Sequence, residues 1–231
     1  MQHFPYFFIL IGVLLSAFTK KLTVSASLVG GLLAVCIYSG AGVPGLILLA
    51  LFFLLGSFAT IWQYKTKAQL NLEDEHGKSR SWGQVLANGG VPALVALLAL
   101  LFPESKPLFV VMLAASFSAA TSDTLSSELG NLYGRNFYNV ITLRRDVRGL
   151  DGVVSLEGCM FGLAGAFIIA AVYSGMEGWT SNFWLVFIGG IVGNWSDSVL
   201  GATLERAGFI KNNVVNFINT AIAALLVFLL Y

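Results

Sequence analysis

Long apolar segments separated by short polar connections constrain this chain more than any other feature of its sequence. Crossing a bilayer takes about 20 mostly apolar helical residues, and somewhat fewer near the interface. Eight segments fit, at about residues 4–19, 22–39, 44–61, 85–102, 107–123, 153–174, 183–204 and 213–230. Backbone in lipid must satisfy its own hydrogen bonds, so the pattern predicts an all-α, polytopic membrane bundle of about eight transmembrane helices. We expect residues 1–231 to form one integral domain in the lipid bilayer.

The composition agrees with a membrane protein and argues against several other classes. Hydrophobic residues make up 57% of the chain and charged residues 11%, far from the balance of a soluble domain. A net charge of +1 gives no reason to expect a nucleic acid partner. Cys36 and Cys159 lie in apolar stretches without metal-binding spacing, so we interpret them as small packing residues.

The basic residues predict the orientation of the chain. Assigning connections alternately to two sides places 12 of the 13 lysines and arginines on one side. Basic residues near span ends stay in the cytoplasm, which predicts a multi-pass protein of the cell membrane with both termini outside. Loops 62–84 and 124–152 are then cytoplasmic. Loop 62–84 is interpreted as a solvated interfacial loop, with a lid over a site as the alternative, and His76 within it as a solvated side chain.

The fifth segment ends in sequence that does not suit lipid. Asp123 and Glu128 follow directly on apolar residues, and an unpaired carboxylate at membrane depth costs several kcal/mol. Ser116, Asp123 and Gly130 repeat at seven residues, with Ser127 one turn after Asp123, so a helix would carry them on one face. This polar face predicts the wall of a site.

Two later helices are predicted to carry similar polar faces. In the seventh segment they are Gly190, Asn194, Asp197, Gly201 and Glu205, and in the eighth Asn212, Asn216, Asn219 and Ala223. Asparagine can also hold membrane helices together, but three polar faces near one membrane surface favour a shared cavity. Upstream, Asn88-Gly89-Gly90 and Pro92 predict a broken helix, where Asn88 either caps a helix or contributes to the site.

The connection after the fifth segment is rich in glycine and arginine. Glycine lets backbone amides approach an anion, and arginine offers paired donors to phosphate oxygens. The candidate phosphate-binding residues here are Gly130, Gly134, Arg135, Arg144, Arg145, Asp151, Gly152 and Ser155. The alternative is that the arginines only anchor the chain at the membrane surface. We favour phosphate binding because anchoring leaves the glycines, Asp151 and Ser155 unexplained.

Carboxylate and amide oxygens together suit Mg²⁺, which binds through one or two carboxylates plus substrate phosphates. With arginines and glycine amides for the phosphates, they supply what phosphoryl or nucleotidyl transfer needs. No Walker A, kinase glycine-rich loop, HExxH or GxSxG pattern occurs in the sequence. We therefore expect a membrane-embedded class of nucleotide-dependent enzyme.

Four runs resemble a known membrane family: SDTLSSELG (122–130), TLRRDVRGLDGVVSLEG (142–158), GNWSDSVLGATLE (193–205) and NNVVNFINT (212–220). They are similar to the family that contains transmembrane protein 19 and phytyl-phosphate kinase, from about Gln84 to the C-terminus. The spacing of Asp123, Ser127, Gly130 and Gly134-Arg135 is also similar to that of phosphatidate cytidylyltransferases and dolichol and phytol kinases, which use CTP. The positions that match are Asn88, Asp123, Ser127, Glu128, Arg144, Asp151, Gly152, Ser155, Asp197 and Asn216.

The resemblance implies a kinase that converts an isoprenyl monophosphate, such as phytyl or geranylgeranyl monophosphate, to the diphosphate, with CTP or another nucleoside triphosphate as donor. We expect Asp123, Glu128 and Asp197 to be the catalytic residues and to hold Mg²⁺. The residues expected to bind nucleotide or phosphate are Asn88, Ser127, Asn194, Asn212 and Asn216 with the glycine- and arginine-rich set above. The apolar tail of the isoprenyl substrate is expected to lie among the fifth to eighth helices. A nucleotidyltransferase that forms a CDP-lipid and a membrane transporter are the alternatives.

Overall fold

The computed structural model describes residues 4–69 and 79–231, and this part of the chain is almost entirely helical. Its helices are α1 Phe4–Phe18, α2 Val24–Ile61, α3 Tyr64–Gln69, α4 Trp82–Leu101, α5 Lys106–Tyr133, α6 Leu156–Glu177, α7 Asn182–Leu200 and α8 Asn212–Leu230. A 3₁₀ turn at Pro103–Ser105 precedes α5, and a π-helical turn at Gly201–Glu205 extends α7. Strands β1 Phe137–Asn139 and β2 Val153–Ser155 form one antiparallel pair. The prediction of a polytopic helical membrane protein is confirmed.

The number of spanning helices differs from the prediction. Of the helices in the described ranges, six rather than eight are long and apolar enough to cross a membrane: α2, α4, α5, α6, α7 and α8. The difference lies at the N-terminus. With 15 residues, α1 is shorter than the other six. The second and third predicted segments belong to a single helix, α2, of 38 residues.

A bend at Gly42 divides α2 into two halves. Gly42 has φ 66° and ψ −152°, outside the helical region, and Pro44 follows it. Leu22, just before α2, pairs with the backbone at Arg80, while the Arg80 guanidinium lies against Gly56 near the far end of α2. In a straight helix Leu22 and Gly56 would lie about 50 Å apart. The chain therefore reverses at Gly42, and the two halves of α2 are the second and third predicted segments.

Side-chain caps explain where several helices begin. The Thr23 hydroxyl accepts from the Ala26 amide at 3.2 Å at the start of α2. Ser81 and Gln84 form a reciprocal capping box at the start of α4. The Ser155 hydroxyl accepts from the Gly158 amide at 3.1 Å and begins α6. Each cap satisfies amide donors that the first turn of a helix leaves without a partner.

Helix α5 is the centre of the bundle. Its residues 110–122 are buried without interruption, as expected for a helix surrounded by other helices. Glycines of α6 and α7 allow the close approach: a Cβ at Gly189 would lie 3.0 Å from the Ala115 Cβ, and one at Gly165 would lie 3.1 Å from the Leu125 Cδ1. Small residues at such contacts let the backbones of membrane helices pack directly.

Two further details depart from the sequence-based expectations. Helix α4 runs through Asn88 and Pro92 without a break. Its two glycines lie where neighbouring side chains approach closely: a Cβ at Gly89 would lie 2.9 Å from Leu33, and one at Gly90 would lie 3.2 Å from Phe217. Residues 124–133 continue α5 instead of belonging to a loop, so the connection begins at Gly134. His76 and the middle of loop 62–84, the proposed lid, lie outside the described residues, which leave out 70–78.

Candidate functional site

A polar cavity of about 310 Å³ opens at the end of the bundle where α2 and α5 finish and α4 and α8 begin. The sequence-predicted residues that line it are Asn88, Asp123, Ser127, Glu128, Gly130, Asp151, Gly152, Ser155, Asn194, Asp197, Asn212 and Asn216. Five separate elements of the fold therefore meet in one space. The polar faces predicted on α5, α7 and α8 all contribute to this cavity.

The carboxyl groups of Asp123 on α5 and Asp197 on α7 interact directly, side chain to side chain. Asn219 on α8 is fully buried behind them, and its Nδ2 donates to the Asp197 Oδ1 at 2.8 Å. That hydrogen bond orients the Asp197 carboxylate from the side away from the cavity. Two carboxylates in direct contact repel each other strongly when both are ionised. A cation bound between them would remove this repulsion, so the pair is suited to hold one.

Three more carboxylates surround this pair. Glu128 accepts from the Thr60 hydroxyl at 2.8 Å, which connects α5 to the end of α2. Asp151 and Glu205 also line the cavity. Among the described lining residues, Arg80 is the one cationic side chain, and it lies close enough to Asp123 to interact electrostatically. Five carboxylates against one guanidinium give this cavity an excess of negative charge.

Amide side chains complete the wall. The Asn88 Nδ2 donates to the Gln84 carbonyl at 3.1 Å, and the Asn216 Nδ2 donates to the Asn212 Oδ1 at 3.2 Å. Within the described part of the chain, the buried Oδ1 atoms of Asn88 and Asn216 have no hydrogen-bond partner. A buried acceptor without a donor costs about 1–3 kcal/mol. Both oxygens therefore have acceptor capacity for a ligand or a cation.

The loop between β1 and β2 closes one side of the cavity. Gly152 has φ +70° and lies against the π-helical turn after α7. A Cβ at Gly201, in that turn, would lie 2.8 Å from the Gly152 backbone nitrogen. Neither position has room for a side chain, which explains the glycines. The Ser155 hydroxyl caps α6 and lies 3.4 Å from the Gly130 carbonyl, so Ser155 lines the cavity but is already engaged in structure.

The arginines that the sequence predicts to bind phosphate do not line the cavity, although the loop that carries two of them does. Arg135, Arg144 and Arg145 are exposed and, with Gly134, do not contribute to its wall. Arg145 Nη2 is instead directed at the Asn136 Oδ1, at 3.5 Å. A phosphate-binding role for these residues remains a prediction that the geometry of the cavity does not support.

An ion pair fastens the same segment to the connection between α7 and α8. The Arg206 Nη1 donates to the Asp146 Oδ2 at 2.7 Å, and the Val147 amide donates to the Asp146 Oδ1 at 2.8 Å. The Arg206 hydrogen bond, helped by that amide, holds the pKa of the Asp146 carboxyl below its usual range. The pair positions the loop that carries Asp151 and Gly152.

Several lining residues were missed in the sequence. Thr60, Tyr64, Arg80 and Gln84 contribute to the wall, but Thr60 was placed in the third apolar segment and the other three in the interfacial loop. Glu205 was placed on the polar face of α7 without a role. The capping-box spacing of Ser81 and Gln84 marks the first turn of α4, and it could have placed Arg80 and Gln84 at the end of the bundle with the site.

The donor set suits a hard divalent cation such as Mg²⁺. Carboxylate oxygens of Asp123 and Asp197 and the unpartnered amide oxygens of Asn88 and Asn216 are the ligand type that Mg²⁺ prefers. In the described ranges no three Asp, Glu, His or Cys side chains converge on one point as a complete metal site. Mg²⁺ commonly binds through one or two carboxylates and completes its shell with water and substrate phosphate, so the Asp123–Asp197 pair fits.

These features define a class: a polytopic helical membrane protein with an acidic, oxygen-lined cavity at one end of its bundle. The chain belongs to the family of integral membrane proteins described as DUF92, whose pattern it matches over residues 7–224. An uncharacterized membrane protein of Methanocaldococcus jannaschii is 35% identical over 82% of this chain and 77% of its own length. One from Synechocystis is 32% identical over 83% of this chain and 76% of its own length.

A plant relative is also similar. The chloroplastic protein VTE6 of Arabidopsis thaliana is 28% identical over 86% of this chain and 62% of its own length. No solved structure matches the chain. The membrane family expected from the sequence motifs is therefore confirmed.

Proposed function

We propose that this protein is a membrane-embedded isoprenyl monophosphate kinase that transfers a phosphoryl group from CTP or another nucleoside triphosphate to give the isoprenyl diphosphate. The observation that carries the proposal is the pairing of Asp123 and Asp197 opposite Arg80 in a cavity at the end of a membrane bundle. The resemblance of the motifs around both aspartates to those of isoprenyl-phosphate and lipid kinases supplies the reaction class.

Charge supports a cation-dependent reaction of phosphates. Five carboxylates and one guanidinium among the described lining residues would repel a nucleoside triphosphate that arrived alone. Mg²⁺ held by Asp123 and Asp197 would neutralise the donor phosphates. Phosphoryl transfer depends mainly on such charge neutralisation and on alignment of the two substrates.

The transfer needs no covalent intermediate on the protein. An oxygen of the acceptor monophosphate attacks the γ-phosphorus of the donor, the bond from that phosphorus to the β–γ bridging oxygen breaks, and the nucleoside diphosphate leaves with the electron pair. A phosphate monoester has its second pKa near 6, so the attacking oxygen is already ionised at neutral pH and no general base is required. Arg80 would hold the acceptor phosphate, and the amides of Asn88 and Asn216 would orient donor groups.

The preference for a monophosphate acceptor rests on different residues than the sequence indicated. Arg144 and Arg145 are the phosphate ligands predicted from the sequence, but both are exposed outside the cavity. Arg80 takes this place, because it is the cation that lines the wall within the described ranges. A free alcohol would offer Arg80 no charge to neutralise.

The test is an assay of purified protein with Mg²⁺, labelled CTP or ATP, and geranylgeranyl or phytyl monophosphate beside the matching alcohol. Formation of the diphosphate from the monophosphate, with release of the nucleoside diphosphate, is the expected result. Pyrophosphate release with a CDP-linked lipid would instead identify a nucleotidyltransferase. Absence of turnover with every nucleotide would overturn the proposal and favour a transporter.

A further inference from the structure

A second cavity lies beside the polar one, in a groove between α1, the two halves of α2 and the start of α4. Its volume is about 280 Å³, just below the roughly 300–1,000 Å³ of typical ligand pockets. Residues from both halves of α2, including Gly30 and Ala50, face each other across it, which is possible only because the chain reverses at Gly42. The bend in α2 therefore creates this groove.

The groove presents an apolar surface. Its walls are formed mainly by aliphatic and aromatic side chains such as Phe8, Leu49 and Phe53. Two hydroxyls deep in it, those of Ser16 and Ser27, lie 3.0 Å apart and hydrogen-bond to each other. Because these polar groups are satisfied internally, the groove suits a hydrocarbon chain.

Arg80 and Gln84 line both the apolar groove and the polar cavity. The position of Arg80 is set by its backbone, whose amide donates to the Lys21 carbonyl at 3.0 Å and whose carbonyl accepts from the Thr23 amide at 3.1 Å. Its guanidinium lies 5.7 Å from the centre of the Phe52 ring, at the groove wall. The Arg80 guanidinium therefore lies where the apolar groove meets the acidic cavity.

We propose that this groove binds the isoprenyl chain of the phosphate acceptor, with the acceptor phosphate held at Arg80 and directed toward Asp123 and Asp197. The inference rests on the proposed function and places the tail at α1, α2 and α4, not between the fifth to eighth helices as the sequence suggested. A single chain ending in a phosphate matches a small groove that ends at one cation. A bilayer phospholipid, with two acyl chains and a larger headgroup, matches it less well.

Two glycines allow the groove to be filled without breaking a helix. A Cβ at Gly12 would meet nothing within 4 Å, and one at Gly30 would lie 3.7 Å from the Val85 Cγ1, an ordinary contact. Leucine at either position would project into the space proposed for the tail. Gly175 on α6 is a matched control, because a Cβ there also meets nothing within 4 Å and the residue lines neither cavity.

The experiment is photolabelling of the purified protein with a diazirine-bearing isoprenyl monophosphate, without nucleotide, followed by mapping of the labelled peptides. We expect label on α1, α2 and α4, competition by unlabelled isoprenyl monophosphate, and a severalfold loss of label in Gly30→Leu but not in Gly175→Leu. Gly12→Leu gives the same comparison if Gly30→Leu fails to fold. Label located between α5 and α8, or displaced equally well by phosphatidylcholine, would overturn the proposal.

Activity measurements separate this proposal from the proposed function. In an active kinase, Gly30→Leu should raise the KM for the isoprenyl monophosphate severalfold and leave the KM for the nucleotide unchanged. If label maps to the groove but no phosphoryl transfer occurs, the lipid-phosphate site stands and the kinase assignment fails. If transfer occurs while label maps elsewhere, only the groove assignment fails.

Discussion

Asp123 and Asp197 show how much of the site depends on two residues from different helices. Each would be unfavourable at membrane depth alone, and together they repel each other, so a bound cation would be needed to stabilise both charges, with Arg80 offsetting part of the repulsion. Asn219, buried behind Asp197, has no other described side-chain role than to orient that carboxylate. We expect the effects of substitutions here to appear in cation binding before they appear in folding.

Asp123→Asn and Asp197→Asn should each lower the rate of phosphoryl transfer by more than about 100-fold, since loss of an outer-shell partner of a metal already costs about 10- to 100-fold. The unfolding temperature without metal should stay the same or rise, because a neutral amide removes the repulsion. The stabilisation by Mg²⁺ and nucleotide, measured by thermal shift, should disappear. Glu104→Gln, exposed at the other end of the bundle, is the control. Near-native activity of both asparagine variants would show that the site is wrongly placed.

Arg80 and Arg144 offer a comparison between an arginine in the cavity and one outside it. A charged hydrogen bond contributes about 1.5–3 kcal/mol, so Arg80→Gln should raise the KM for the acceptor by roughly 10- to 100-fold. Arg144→Gln should have little effect, because its side chain is exposed away from the cavity. Steady-state kinetics of both variants measures the difference. The reverse order of effects would return the phosphate to the segment that the sequence indicated.

At the scale of elements, the bend in α2 is the feature on which the apolar groove depends. Gly42 has backbone angles that are essentially restricted to glycine, although a Cβ there would meet only the Pro44 Cδ, at 3.8 Å. Gly42→Ala should therefore lower stability by about 1–3 kcal/mol through backbone strain. Gly175→Ala, in a regular helix with open space, should be neutral or slightly stabilising. Denaturation in detergent measures both.

The same bend can be measured as a distance. Leu28 and Leu54 are both 64% exposed, one on each half of α2, so spin labels are accommodated there. An unbroken helix would separate the two positions by about 39 Å. The reversal at Gly42 predicts a much shorter separation by double electron–electron resonance. A distance near that of the straight helix would contradict the bend.

The loop between β1 and β2 depends on the Asp146–Arg206 pair. Since the pKa of Asp146 is lowered in the folded protein, the stabilisation is complete above its ordinary value of about 4 and is lost as the pH falls through the lower, folded value. Asp146→Asn and Arg206→Gln should each increase hydrogen exchange over residues 140–152 a few-fold at pH 7. The double variant should add nothing further. Arg145→Gln is the control, and equal effects of all three changes would contradict a specific pair.

At the scale of the whole molecule, the bundle surrounds α5 and gathers its polar residues at one end. The backbone at Arg80 pairs with Lys21 and Thr23, so the connections before α2 and before α4 lie together. The distribution of basic residues predicts the same, since it places both connections on one side of the membrane. The cavity opens at this same end. Orientation in the membrane therefore decides from which side substrates enter.

The charge distribution predicts that this end faces the cytoplasm. In a variant without Cys36 and Cys159, a single cysteine at Ser79 or Asn136 should react with an impermeant reagent only after permeabilisation. A cysteine at Glu104, exposed in the turn before α5, should react in intact cells. The opposite pattern would reverse the predicted topology.

Much of this protein follows from local rules in the sequence. Backbone in lipid must bond within its own segment, so the apolar runs alone determined the membrane class and the helical fold, although not the number and the ends of the spanning helices. Helical periodicity alone determined which residues share a face, and it placed Asp123, Asp197 and Asn216 on polar faces before any packing was known. The family followed from the same motifs.

Tertiary structure decided which of these faces meet and which charges enter the cavity. Asp123 and Asp197 are adjacent because glycines of α7 pack directly on α5 and set the register of the two helices. Arg80 lies in the wall because its backbone pairs with residues 21–23, while Arg144 stays outside. An arginine side chain is long and flexible, so its position depends on how its backbone is anchored by distant segments. Spacing along one segment does not contain that information.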